Sequence, residues 1–112
     1  MLNFKSYRQP MALRQALFTY LPLGISIEKL QAFAKEQALT YSGQVVTDLF
    51  PRQITEANVT FDYRVLCTAQ APEERWPWSW FSLSNGWVWL MYFYFRDDCL
   101  VDIQVTLVGN GL

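Results

Sequence analysis

The sequence predicts an α+β fold, a two-layer sandwich with N-terminal helices packed on one face of a three- to four-stranded antiparallel sheet. Three observations lead there. Residues 87–95 are almost continuously apolar or aromatic, and their short length and content of Trp, Tyr, Phe and Val favour a strand over a helix. Residues 100–108 then alternate apolar and polar with the period of a strand that is wet on one side. Ahead of every strand candidate stand segments with helical spacing, each with its own start or stop signal.

The two strand candidates read as one hairpin, broken by Arg96, Asp97, Asp98 and Cys99. Val101, Ile103, Val105 and Leu107 are expected on the core side, with Asp102, Gln104 and Thr106 facing water. A three-residue loop of Asp97, Asp98 and Cys99 sets Phe95 opposite Val101 and Phe93 opposite Ile103. A two-residue loop would instead pair Phe93 with Asp102 and put the core set out of step. The other side of the first strand carries Val88, Leu90, Tyr92 and Tyr94, too apolar a set for plain exposure.

Taken in order, residues 10–21 read as a helix, with Leu13, Ala16, Leu17, Tyr20 and Leu21 at helical spacing and Pro10 suited to its first turn. Pro22 ends it. Ser26 is a good N-cap, Glu28 lies in the first turn, and Ile25 with Leu30 fits a hydrophobic staple. The second helix is therefore expected over about 27–38, burying Ile27, Leu30, Phe33 and Ala34, with Ala38 a further candidate for the same stripe. Residues 40–56 lack a sustained period, are punctuated by Gly43 and Pro51, and read as a connection along the core edge.

A strand is expected over about 58–69. Val59, Phe61, Tyr63, Val65 and Cys67 face one way and Thr60, Asp62, Arg64 and Thr68 the other, with Leu66 the exception. Residues 72–75 form a polar loop. Trp76, Trp78 and Trp80 then alternate, and Asn85-Gly86 is a strong hairpin turn signal, so residues 76–83 are compatible with a short strand that Pro77 confines to an edge.

At 112 residues and 52% hydrophobic, the chain reads as a single domain, 1–112, with an adequate core. A net charge of −1 argues against nucleic acid as a partner, because phosphate binding needs a basic surface. No apolar run reaches the roughly 20 residues of a membrane-spanning helix, and the first residues make a poor signal peptide. Cys67, within a strand, and Cys99, in a turn, are poorly placed to meet, so two free thiols are expected. That favours a cytoplasmic address, or a periplasmic one if a leader has been removed.

The chain contains no histidine, which removes Ser-His-Asp and Cys-His machinery and the usual zinc ligand sets. Its five glycines are scattered and form no phosphate-cradling loop. Asp97, Asp98 and Asp102 could hold a hard cation or act as an acid pair, but Asp in turns is favoured for its own hydrogen bonding. Cys99 has acidic neighbours, which oppose formation of a thiolate. No catalytic residue, metal or cofactor is expected, and the chain is not read as an enzyme.

Aromatic residues make up 17% of the chain, and all five Trp fall within residues 76–89, more than a small core needs. The expected interaction residues are Trp76, Trp78, Trp80, Phe81, Val88, Leu90, Tyr92 and Tyr94. They suggest a non-catalytic protein-binding module, docking a protein partner or a second copy of the chain. The alternative is a small-ligand or carbohydrate site in which Trp76, Trp78 and Trp80 stack on sugar rings.

The Gly24-Ile25-Ser26 helix start followed by Leu30, and the phrase from Phe93 to Ile103 (aromatic strand, acidic turn, Leu, strand), resemble the BamE-like lipoproteins and the related beta-lactamase inhibitor protein fold. The resemblance spans residues 24–108 and implies a two-layer sandwich with a non-catalytic binding role. Cys99 stands where the family's turn has Gly, the lipobox cysteine is missing, and the helix over 10–21 is additional.

Overall fold

The computed structural model describes residues 2–45, 61–71 and 87–109. Its elements are a 3-10 turn (Phe4–Ser6), α1 (Pro10–Tyr20), α2 (Ile27–Glu36), β1 (Thr40–Val45), β2 (Tyr63–Gln70), β3 (Trp87–Arg96) and β4 (Cys99–Gly109). The strands form one four-stranded antiparallel sheet in the order β1-β2-β3-β4, and both helices pack on one side of it. The expected sandwich is therefore present. The strand expected at 76–83 and residues 58–60 lie outside the described residues.

Burial follows the odd-numbered side of the inner strands. Val65 and Cys67 on β2, Trp89, Met91, Phe93 and Phe95 on β3, and Ile103 on β4 are fully excluded from water. Leu13 and Leu17 from α1, and Leu30 and Ala34 from α2, close over them. Side chains of this size contribute roughly 1.5–3 kcal/mol each when taken from water. The N-terminal arm completes the cover, with Leu2 and Phe4 buried and the Phe4 carbonyl accepting the Trp89 indole N–H at 2.9 Å.

Local signals set the helix ends. Pro10 opens α1. Ser26 Oγ accepts the Lys29 N–H at 3.3 Å, and Asp98 of the β3–β4 turn accepts the Ile27 N–H at 2.9 Å. The start of α2 is thus capped from within its own sequence and from the hairpin tip. Its far end comes earlier than expected. Leu39 N–H returns to Ala34 O and Ala38 N–H to Lys35 O, with Ala38 at φ 58, which is a Schellman ending with alanine in the left-handed place usually held by glycine.

Residues 40–45 form a strand where the sequence suggested only connection. The physical reason is Gly43. A Cβ there would lie 1.9 Å from the Tyr63 hydroxyl oxygen, so the ring of the neighbouring strand fills the place of a side chain on β1. Without that side chain the period of β1 is hidden. At its start, the Thr40 hydroxyl accepts the Thr68 N–H at 3.0 Å and contacts the Thr68 hydroxyl.

The hairpin turn also departs from expectation. It has a two-residue loop, since Arg96 pairs with Cys99 and the turn residues Asp97 and Asp98 have φ 51 and 62. Positive φ at both central positions is the turn whose twist matches the strands, and Asp tolerates it. Phe95 therefore faces Leu100 rather than Val101. An irregularity between Tyr94 and Phe95 takes up the extra residue Val101, and Phe93 regains Ile103. Val101 turns away from the main core and packs with Phe61 and Tyr94 on the opposite face. Phe61 was expected on the side of Tyr63, but it precedes β2 and is not bound to the alternation of that strand.

Both cysteines are free, Cys67 buried and Cys99 exposed. Burial pushes the Cys67 thiol from its ordinary 9.0 up to about 12. Its neutral form is held by the fold, so its share of stability is intact below pH 9.0 and is lost as pH rises towards about 12. In denaturant titrations the midpoint should hold to about pH 9 and then fall, and the fall should be shallower for Cys67→Ala. Thiol labelling at neutral pH should modify Cys99 alone in the folded chain and both cysteines after denaturation. Ala38→Gly should raise stability by up to about 1 kcal/mol, because relief of the left-handed strain outweighs the added unfolded-chain entropy. A melting curve of the variant checks this.

Candidate functional site

The face of the sheet away from the helices is built from the even-numbered positions of β2 and β3 and their partners on β4. Pairing aligns Leu66 with Tyr92 and Gln104, Thr68 with Leu90 and Thr106, and Gln70 with Val88 and Val108. An apolar stripe of Val88, Leu90 and Tyr92 thus runs along β3, bordered on both sides mostly by polar residues. Of the expected interaction residues, these three and Tyr94 share the face. Trp76, Trp78, Trp80 and Phe81 lie outside the described residues.

Tyr94 corrects the expectation of an exposed aromatic row. It is only 1% exposed. Phe61 meets it edge-on with ring centroids 4.6 Å apart, and Val101 packs alongside. Tyr94 belongs to a small second core on this face, created by the bulge that delivers Val101. Tyr92 stacks beside Tyr94 at 6.4 Å, and the Arg64 guanidinium lies over the Tyr92 ring at 5.5 Å from its centroid. Val88, Leu90 and Tyr92 are half-buried rather than open. The large apolar side chains most exposed among the described residues are elsewhere, at Met11, Tyr20, Leu23 and Trp87.

The acidic residues are divided between structural tasks. Asp98 caps α2 and the Asp97 N–H donates to Asp62 at 3.1 Å. Asp102, expected in solvent, is 8% exposed. Its carboxylate accepts from Arg14 Nη2 at 2.8 Å, from the Ile103 N–H at 2.8 Å and from Gln104 Nε2 at 2.7 Å. Arg14 Nε donates to the Ile103 carbonyl at 2.6 Å, and its guanidinium lies 4.9 Å from the centre of the Phe18 ring. This ion pair follows from α1 running beside β4, which the local alternation of β4 did not reveal. Among the described residues no group of His, Cys, Asp and Glu is arranged to hold a metal ion.

A shallow groove of about 420 Å³ lies at the other end of the molecule, between the N-terminal arm and the end of α2, with Leu2, Phe4, Leu39 and Ala69 among its walls. Sequence reasoning did not anticipate it, because the arm carries no periodic signal. The Tyr41 hydroxyl is buried without a hydrogen-bond partner among the described residues. Its pKa is pushed up to about 12, chiefly by burial.

No protein-family model, curated protein or solved structure matches the chain.

The division of the face into a core residue and a surface stripe is measurable. Tyr94→Ala should cost about 3–5 kcal/mol, as for large buried aromatics, while Leu90→Ser should cost markedly less. Equilibrium denaturation of the two variants checks the order; equal losses would mean that Leu90 is as fully packed as Tyr94.

Proposed function

We propose that the chain is a non-catalytic protein-binding module that uses the aromatic face of its sheet. The observation that carries this reading is the stripe of Val88, Leu90 and Tyr92 on the face opposite the helices, extended by Leu66 and Val108 and otherwise flanked by Thr68, Gln70, Gln104 and Thr106. An apolar line with a polar border has the anatomy of a protein interface, in which the centre is desolvated and the rim stays wet. Tyr92 is suited to the central position, because its ring supplies contact area and its hydroxyl a hydrogen bond. Its ring is also held in place by Tyr94 and Arg64, which lowers the entropy lost on docking. A helix-first order and an antiparallel sheet are what the BamE-like resemblance implies, and a binding role is the function that goes with it.

Affinity capture with the immobilised full chain tests the reading. Proteins retained by the native sequence should be lost with the Leu90→Ser, Tyr92→Ser double variant, while circular dichroism shows both chains folded. Retention of the same proteins by both would remove the sheet face from the function.

A further inference from the structure

Among the described strands β4 lies at an edge of the sheet, and its two halves are treated differently. Along an antiparallel strand, alternate residues direct both backbone groups to one neighbour and then to the other side. Trp87 O on β3 accepts the Ala71 N–H and Phe95 O accepts the Asp62 N–H, so odd positions of β3 serve the β2 side and even positions serve β4. On β4 the partners of those even positions are Asp102, Gln104, Thr106 and Val108. Ile103, Val105, Leu107 and Gly109 therefore turn their N–H and C=O groups outward from the sheet.

The first half of this edge is closed. Leu100 N–H donates to Ile25 O and Leu100 O accepts the Gly24 N–H, both at 2.9 Å, so the joint between the helices occupies the edge there. Gly24 makes this approach at φ 95, a conformation that suits glycine. Next comes the bulge at Val101. Then Asp102 takes the Ile103 N–H and Arg14 takes the Ile103 carbonyl, so both outward groups of Ile103 are satisfied by side chains. A bulge, an inward-bent charge and a covering segment are the devices by which proteins prevent edge pairing. Among the described residues no bulge, ion pair or backbone bond from another segment guards the edge beyond Gln104. The stretch from Val105 to Gly109 has no charge and no proline. Among the described residues nothing is bonded to the outward groups of Val105 and Leu107. Their side chains are half-buried at the margin of the core.

We propose that the open half of the β4 edge, Val105 to Gly109, pairs antiparallel with the same stretch of a second copy of this chain, joining the sheets of two copies into one continuous sheet. A two-fold axis at Leu107 makes the edge self-complementary: Leu107 pairs with the partner's Leu107 and Val105 with the partner's Gly109. The Arg14–Asp102 pair excludes registers shifted towards the hairpin tip. An axis shifted to Val105 would need the outward groups of Ile103, which are taken, and an axis at Thr106 would leave Gly109 opposite that same closed position. The two Leu107 side chains then lie side by side across the axis. This inference goes beyond the binding role of the aromatic face, because it rests on backbone groups at the edge and leaves Leu90 and Tyr92 free in both copies.

Sedimentation equilibrium of the full chain over a range of concentrations, together with amide hydrogen exchange, tests it. The expected result is a dimer in which the Val105 and Leu107 amides are protected at high concentration and exchange freely on dilution. The Gln104 and Thr106 amides, which face β3, should stay protected at both. Leu107→Pro removes an outward N–H that the β3–β4 ladder does not use, and should weaken association at least about tenfold, from the loss of paired hydrogen bonds. Thr106→Lys, at an exposed position, should do the same without touching the core, and decides the matter if the proline variant does not fold. A chain that stays monomeric throughout overturns the proposal. So does a dimer that both variants leave intact, or one abolished by the Leu90→Ser, Tyr92→Ser pair instead.

Discussion

Trp89, Met91, Phe93 and Phe95 project from one side of β3 into a volume that water does not enter, and the positions of the other elements follow from keeping it that way. β2 and β4 flank β3 because its backbone groups, buried between two neighbours, must be paired. The helices lie where they do because Leu13, Leu17, Leu30 and Ala34 need the same dry volume. Even the N-terminal arm obeys this constraint: burying the Trp89 ring requires a partner for its indole N–H, and the Phe4 carbonyl is that partner.

The tight turn at the hairpin tip comes into conflict with that buried face. A two-residue loop matches the twist of the strands but puts the alternation of β4 out of step with that of β3. The bulge at Val101 restores the step, so that Ile103 reaches the core beside Phe93. Its consequences extend to the other side of the sheet. Val101 is driven across to join Tyr94 and Phe61 in a second cluster, and Asp102 is bent to the edge, where Arg14 neutralises it. Asp98, left at the tip, reaches back to cap α2 and ties the hairpin to the helical layer. One irregularity thus shapes the turn, the edge and the reverse face together.

The same irregularity separates the two surfaces on which the functional readings rest. Near the hairpin tip, Tyr94 is sealed and the edge is closed, which makes that end of the molecule structural. Away from the tip, β3 presents an apolar stripe on the face, and among the described residues nothing is bonded to the outward backbone groups of Val105 and Leu107 on β4. The proposed pairing along the edge would place two copies of the stripe on one continuous face, where a partner with two matching sites would gain avidity.

Sequence alone determined the layered class, the order of elements and the inner face of the strongest strands, because those depend on burial, and burial leaves a period in the chain. The N-cap at Ser26 was legible for a similar reason: a capping side chain acts within one turn of its own position. β1 was not legible, because Gly43 leaves a gap that Tyr63 fills from another strand. The bulge, the sealing of Tyr94 and the pairing of Arg14 with Asp102 were not legible either. Each joins residues far apart in the chain, and each exists only because three-dimensional packing had first fixed where a strand ends, where an edge lies and what stands next to it.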